Sequence, residues 1–175
     1  MALGRFCCVV VLAGGALGAS VSSGFSAKDA AVTTSGLPVP RYVSLKSDHV
    51  NVRAGPTKDN DVAWVYTRSG LPVEITAEYE NWRRVRDSEG AEGWVYHSLL
   101  SGRRTAVVTM KNKDDLASLY ESPDSSSAVT ARLQVGVVAQ IKKCTSNWCH
   151  VAGNGFDGWI EQQRLWGVYA DEKVD

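Results

Sequence analysis

An internal repeat constrains the possible folds of this chain more than any other feature of its sequence. Each copy contains, in the same order, an extended segment that ends at a proline, a glycine, an Asn-Trp step and a Gly-Trp step. Because the spacing between these elements is nearly the same in both copies, the sequence predicts two tandem modules. The matching elements are 51–56 with 118–123, Gly70 with Gly136, Asn81-Trp82 with Asn147-Trp148, and Gly93-Trp94 with Gly158-Trp159.

The first copy opens with an alternation of apolar and polar side chains. Val50 and Val52 point to one face of an extended strand, while Asn51 and Arg53 point to the other. A Gly-Pro turn signal follows, and then further short apolar segments separated by polar turns. This pattern predicts an all-β fold in which each module is a small antiparallel barrel.

Several elements of the first copy together resemble the bacterial SH3-like (SH3b) domain: 51–56, Gly70, 81–85 and 93–95. The longer segment 37–102 is similar to a group of secreted alphaproteobacterial SH3-domain-containing proteins. The resemblance continues, in a degraded form, through the second copy to residue 169. It implies two tandem half-open barrels that bind cell-wall material or a partner protein.

Composition along the chain predicts its organisation. The segment 1–19, with one early arginine, an apolar run and small residues, is typical of a secretory signal peptide, although an uncleaved anchor is an alternative. A Ser-, Ala- and Gly-rich stretch suggests a disordered linker. The connection 101–105 is very short, so we expect the barrels to touch. The predicted order is a signal peptide at 1–19, a linker at 20–38, SH3b-like domains at 39–102 and 103–169, and a flexible tail at 170–175.

The charge balance excludes one class of partner. The chain has 19 Lys and Arg residues and 19 Asp and Glu residues, which gives a formal net charge of zero. Non-specific binding to nucleic acid depends on a basic field that displaces counterions from phosphates. We therefore expect no nucleic-acid partner.

The cysteines of the second copy predict a disulfide. Cys144 and Cys149 bracket a short turn between two apolar segments. In an exported protein such a pair meets oxidising conditions, under which disulfides persist. A zinc site that includes His150 is the alternative, but three clustered ligands on adjacent positions lack the usual tetrahedral spacing.

Strand alternation predicts a binding face on the first module. Val95 points to the core, which places Trp94 and Tyr96 on the opposite face; Val85 likewise places Trp82 on the face of Arg84. Aromatic rings beside cations suit sugar rings, peptides and proline-rich segments. Alternatively, the tryptophans close an open end of the barrel. The predicted ligand-binding residues are Arg53, Trp82, Arg84, Trp94 and Tyr96.

The sequence does not predict an enzyme. Cys149 and His150 are neighbours on a predicted strand, so their side chains point to opposite faces and cannot form a dyad. No phosphate-binding loop, metal-binding helix motif or serine elbow occurs in the sequence. We therefore expect no cofactor and no metal.

Two functional hypotheses remain after an enzyme is set aside. The first is a periplasmic or secreted module that binds peptidoglycan or a cell-wall peptide through an aromatic surface. The second is an envelope adaptor or structural protein that binds another protein and no wall ligand. Both assume that no membrane span remains after signal cleavage, and the sequence specifies no oligomeric state.

Overall fold

The computed structural model describes residues 31–112, 114–145 and 147–175. These residues form two seven-stranded antiparallel sheets, preceded by a hairpin of β1 (Ala31–Val32) and β2 (Pro38–Val39). The part of the chain that the model describes contains no α-helix, and so no helix long and apolar enough to cross a membrane. The predicted all-β class is confirmed. The predicted signal peptide lies outside the described residues.

The first sheet, which we call barrel one, is half-open. Its strands follow the spatial order β5-β4-β8-β7-β6-β3-β9, so β5 and β9 are the two free edges. A 3-10 helix at His97–Leu99 connects the last two strands. The strands are β3 (Arg41–Leu45), β4 (Val50–Arg53), β5 (Val62–Tyr66), β6 (Pro72–Tyr79), β7 (Trp82–Arg86), β8 (Glu92–Tyr96) and β9 (Leu100–Ser101).

The second sheet, barrel two, repeats this topology strand for strand. Its spatial order is β12-β11-β15-β14-β13-β10-β16, and a 3-10 helix at Gln162–Arg164 again precedes the last strand. The structure therefore agrees with the tandem repeat of the sequence. The strands are β10 (Thr105–Val108), β11 (Leu116–Tyr120), β12 (Val129–Gln134), β13 (Val138–Cys144), β14 (Trp148–Gly153), β15 (Phe156–Glu161) and β16 (Leu165–Trp166).

Each barrel has its own apolar core, built from alternate positions of its strands. In barrel one, Val50 and Val52 of β4 are fully buried, as are Val85 and Val95 on the neighbouring strands. The residues between them reach the outer face of the sheet. This alternation is the physical reason that β4 and β8 could be predicted from the sequence.

The predicted disulfide is present and belongs to the core of barrel two. Cys144 on β13 and Cys149 on β14 are bonded with an S–S distance of 2.04 Å. Both cysteines are buried, in the same cluster as Val151 and Ile160. The disulfide therefore links the two strands at the end of their hairpin and packs against the core at the same time.

The barrels touch through an aromatic and polar interface. The ring of Tyr42 on barrel one lies 5.1 Å from that of Trp166 and 4.6 Å from that of Tyr169, measured between centroids. The Tyr169 hydroxyl donates to Glu74 Oε1 at 2.9 Å. On the same interface, Arg68 donates to the carbonyl oxygen of Gly136 at 2.9 Å. The two barrels are therefore in contact, as we expected from the short segment that connects them.

The tail, expected to be flexible, lies against barrel two. Val174 pairs with Cys144 through two backbone hydrogen bonds. Arg104 forms an ion pair with Glu172 at 2.7 Å, and the Tyr169 amide donates to Glu172 at 2.9 Å. Burial alone would raise the pKa of Glu172, but these bonds to its charged form outweigh it and lower that pKa. The polar composition of 170–175 does not predict the contacts with Arg104 and Cys144, because these partners are distant in sequence.

Candidate binding face

Three of the predicted site residues form one row across the outer face of barrel one. Arg53 on β4 is the register partner of Trp94 on β8, and Trp94 is in turn the partner of Arg84 on β7. Val95, next to Trp94, is fully buried, so the row faces away from the core. The half-buried Trp94 ring thus lies between two arginine positions.

The other two predicted residues form the next row. Trp82 on β7 and Tyr96 on β8 are register partners, and their rings meet edge to face with centroids 5.4 Å apart and planes at 80°. Trp82 is only 8% exposed, whereas Tyr96 is half-buried. Edge-to-face packing matches the positive edge of one ring to the negative face of the other. Trp82 is therefore both packed and part of the face.

A cleft of about 290 Å³ opens beside this second row. Three of the five predicted residues line it, while Arg84 and Trp94 do not. None of the described residues that line it is acidic. The lining consists of Asn51, Arg53, Lys58, Trp82, Tyr96, Ser98 and Leu99.

The cationic side chains of this face differ in their hydrogen-bond and ion-pair partners. Arg53 Nη1 donates to the carbonyl oxygen of Asn60 at 2.6 Å, which fixes the guanidinium against the loop that follows β4. Arg84 instead forms an ion pair with Glu92 at 2.6 Å on an exposed part of the hairpin. Lys58 is exposed and has no ion-pair partner among the described residues. The cleft therefore has a positive charge that its own lining does not neutralise.

Sequence reasoning missed four residues that line the cleft: Asn51, which lies on β4, and three that the fold brings there from segments outside the strands. Lys58 lies in the loop after β4, and Ser98 and Leu99 belong to the 3-10 helix after β8. Strand alternation cannot place loop residues, because their positions depend on contacts across the barrel. The sequence offered one indication: the loop that contains Lys58 and the 3-10 helix follow the strands that carry Arg53 and Tyr96.

The outer face of barrel two has the same geometry and different chemistry. Tyr120, Trp159 and His150 form the row that matches Arg53, Trp94 and Arg84. His150 stacks on Trp159 with centroids 5.1 Å apart and planes at 19°, and its Nε2 lies 2.7 Å from Asp157 Oδ1. Trp148 contacts Tyr120 edge to face at 5.5 Å. The two tryptophan positions are thus common to both barrels, and the cations beside them are not.

A buried ionic cluster supports the end of barrel one. Glu78 on β6 accepts from Arg41 at 2.6 Å and from the Ser35 amide at 2.9 Å, and Arg83 Nε lies 3.1 Å away. Burial alone would raise the pKa of Glu78, but the hydrogen bonds from Arg41 and Ser35 outweigh it and lower that pKa to about 2. Since Arg83 directly follows Trp82, this cluster also helps to hold β7 in place.

The described residues contain no group of three or more His, Cys, Asp or Glu side chains that could hold a metal ion. Cys149 is buried and bonded to Cys144, while the neighbouring His150 faces outward. The two side chains are therefore on opposite faces, as strand alternation predicts.

A family model described as "Bacterial SH3 domain" matches this chain twice, at residues 46–102 and 113–167. The chain belongs to the bacterial SH3 domain family. This finding confirms the resemblance deduced from the tandem motifs. Bacterial SH3 domains are binding domains, which agrees with a role other than catalysis. No curated protein matches this bacterial SH3 chain.

Similar solved structures occur among NlpC proteins. NlpC2 from Trichomonas vaginalis is 14% identical, with 73% of this chain and 48% of that chain covered and a TM-score of 0.32. NlpC1 from the same organism is 14% identical, with 81% and 50% covered and a TM-score of 0.33. An NlpC/P60 family protein from Bacillus cereus ATCC 10987 is 12% identical, with 77% and 58% covered and a TM-score of 0.29. This bacterial SH3 chain thus spans about half the length of the structures it matches.

Proposed function

We propose that this protein is an exported, non-catalytic binding module that recognises the peptide part of peptidoglycan through the cleft of barrel one. One observation carries the proposal: the cleft combines two cations, Arg53 and Lys58, with two aromatic rings, Trp82 and Tyr96, and has no acidic lining residue. Wall peptides present carboxylates next to short apolar side chains. A carboxylate and an apolar neighbour are the two groups that this lining complements.

The geometry supports a preorganised carboxylate site. Arg53 is already held by its bond to the Asn60 carbonyl, so binding a ligand with its other guanidinium nitrogens costs little further side-chain entropy. A charge-assisted hydrogen bond to a carboxylate is stronger than a neutral one. Lys58 supplies a second positive charge from the loop, and the Trp82–Tyr96 pair supplies a rigid apolar wall.

Export is supported by two further observations. The Cys144–Cys149 disulfide is of the kind that persists in oxidising compartments, and the family is bacterial. Together with the predicted signal peptide, they favour the periplasm or the cell exterior, where peptidoglycan is accessible.

The test is co-sedimentation of the purified protein with peptidoglycan sacculi at increasing salt. We expect saturable binding that weakens as salt screens Arg53 and Lys58. Lys58→Gln should weaken binding about threefold to tenfold, in line with the loss of one charge-assisted contact. Lys46→Gln is the matched control, because Lys46 is also an exposed lysine of barrel one but lies outside the cleft.

A soluble ligand makes the same test more specific. A wall stem peptide with free carboxylates should bind and quench tryptophan fluorescence, and the same peptide with amidated carboxylates should bind more weakly. Equal affinity for the two peptides, or equal effects of Lys58→Gln and Lys46→Gln, would contradict the carboxylate site. If the folded, oxidised protein does not sediment with sacculi at all, the envelope adaptor becomes the better hypothesis.

A further inference from the structure

Barrel two contains a larger cleft, of about 420 Å³, at the end where its hairpin and tail meet. It lies on a different barrel from the proposed carboxylate site and shares no residue with it. Its lining includes an aromatic ring, apolar residues, amides and two acids. These lining residues include Trp148, Glu161, Gln163, Leu165, Val168 and Asp171.

The tail builds one wall of this cleft. Gln162, which is 6% exposed, accepts a hydrogen bond from the Asp171 amide at 3.0 Å and donates to the Glu172 carbonyl at 3.0 Å. Arg104 then holds the Glu172 carboxylate, and Val174 pairs with Cys144. The backbone at Asp171 is therefore fixed on both sides. Its side chain, which is exposed, lines a site whose shape is already formed.

An aromatic ring with a fixed position also lines the cleft. Trp148 follows the turn closed by the disulfide, and its carbonyl oxygen accepts a bond from the Thr145 amide at 2.8 Å. The ring is half-buried and packs edge to face against Tyr120. The buried side chains of Leu165 and Val168 form the apolar floor. A ligand in the cleft would thus meet a flat ring and an apolar base.

The charge of this cleft is opposite to that of the cleft in barrel one. Among the described residues that line it, Glu161 and Asp171 are the only charged ones. The side chains of Arg164 and Gln163 both donate to Oε2 of Glu161, at 3.0 and 3.1 Å, while Oε1 receives no hydrogen bond from the described residues. Asp171, in contrast to Glu161 with its Arg164 partner, has no ion pair in the described part of the chain. At least two carboxylate oxygen positions are therefore available to a cationic ligand.

We propose that this cleft binds the ammonium group of a peptide ligand, with Asp171 and Glu161 as its anionic partners. An ammonium group gains from charge-assisted hydrogen bonds to carboxylates and from the negative face of an indole ring. The carbon chain that carries the ammonium would rest on Leu165 and Val168. This site is distinct from the one under Proposed function, both in its location and in the sign of the charge it selects.

The test is an NMR titration of the purified, oxidised protein with a tripeptide that has one free lysine ammonium and blocked termini. The control ligand is the same tripeptide with an acetylated lysine. The indole signal of Trp148, assigned through Trp148→Phe, should shift with the free amine. The acetylated peptide should bind about fivefold to tenfold more weakly, because it lacks the charge-assisted contact.

Asp171→Asn is the decisive variant. The backbone of Asp171 is left-handed, with φ of 59°, and asparagine adopts this conformation readily, so the fold should be kept. We expect the variant to weaken binding of the free amine about fivefold. Asp114→Asn, a matched change at an exposed position outside the cleft, should have no effect.

The outcomes also separate this proposal from the carboxylate site. Equal binding of the free and acetylated peptides, or no difference between Asp171→Asn and Asp114→Asn, would overturn the ammonium site. Lys58→Gln should leave the amine titration unchanged while it weakens sedimentation with sacculi. A second titration, with a stem peptide that ends in a diamino acid and followed at the Trp148 indole signal, distinguishes the two sources of the ammonium group. Tighter binding than the lysine tripeptide indicates a wall peptide, and equal or weaker binding indicates a protein lysine.

Discussion

The glycine of each Gly-Trp step is required by packing. A Cβ atom on Gly93 would lie 2.4 Å from Val52 Cγ1 and 3.2 Å from the Arg53 carbonyl oxygen. In barrel two, a Cβ on Gly158 would lie 2.9 Å from the carbonyl oxygen of Tyr120. The close approach of β8 to β4, and of β15 to β11, therefore explains why both copies have glycine immediately before the outward tryptophan.

Gly93→Ala should destabilise barrel one by about 2 kcal/mol, because overpacking against a buried valine forces the strands apart. The measurement is the free energy of unfolding from denaturant titration. Gly102→Ala is the matched control: a Cβ there would meet nothing within 4 Å, so this change should be neutral. Similar stability for the two variants would contradict the packing argument.

Glu78 makes the stability of barrel one sensitive to acid. Its pKa is lowered from 4.5 to about 2, so its carboxylate contributes stability that is fully present above about pH 4.5. That stability is lost as the pH falls from about 4.5 to about 2. Near the lower value, Glu78 becomes protonated in the folded protein as well. Thermal unfolding measured between these pH values should show a steeper decline for the wild type than for Glu78→Gln. Parallel pH profiles would exclude the cluster as the cause.

The burial of the two tryptophans in barrel one shows where sequence reasoning stops. Alternation correctly places Trp82 and Trp94 on the outer face, yet Trp82 is almost buried and Trp94 is not. One contact behind this difference is that of the Tyr96 ring, on the neighbouring strand, with the ring of Trp82. The alternation of apolar and polar residues along one strand does not show which side chains of another strand pack against it.

At the scale of elements, the hairpin of β13 and β14 joins three features of barrel two. Its disulfide connects the strands, Trp148 begins β14, and the tail pairs with Cys144. The sequence was sufficient to predict the disulfide, because the cysteines bracket a turn. It did not predict the tail contact, because Val174 is far from Cys144 in the sequence.

Removal of the disulfide should therefore weaken barrel two. Replacing both cysteines with serine should lower its free energy of unfolding by about 2 kcal/mol, the chain-entropy value for so short a loop, with a further loss from polar atoms in the core. Denaturant unfolding of the variant and of the wild type with and without reductant is the measurement. Unchanged stability on reduction would show that packing alone holds the hairpin.

At the scale of the whole molecule, the interface joins the two barrels through a shared buried carboxylate. Glu74, which is 3% exposed, receives bonds from Arg86 of its own barrel and from Tyr169 of the other. Burial, with the bond to Glu74, raises the pKa of the Tyr169 hydroxyl, so it stays protonated as the donor. Burial likewise raises the pKa of Tyr42 to about 12. The two tyrosine hydroxyls of the interface thus stay protonated across the physiological range.

Tyr42→Ala should make the two barrels unfold independently, because it removes the ring contacts with Trp166 and Tyr169 of barrel two. We expect calorimetry to show one cooperative transition for the wild type and two for the variant. Tyr79→Ala provides the control, because Tyr79 is 51% exposed and outside the interface. A single transition in all three proteins would show that the remaining polar contacts are sufficient for coupling.

The alternation of inward and outward residues along β4, β7 and β8, and along their counterparts in barrel two, has an evolutionary consequence. Apart from Trp82, which is both packed and part of the face, the positions that hold the fold and those that can meet a ligand are different, so mutation can change the second set without disturbing the first. Arg53 and Arg84 correspond to Tyr120 and His150, whereas the glycines and tryptophans between them are unchanged. A duplicated barrel is thereby free to acquire a new specificity while it keeps its inherited framework.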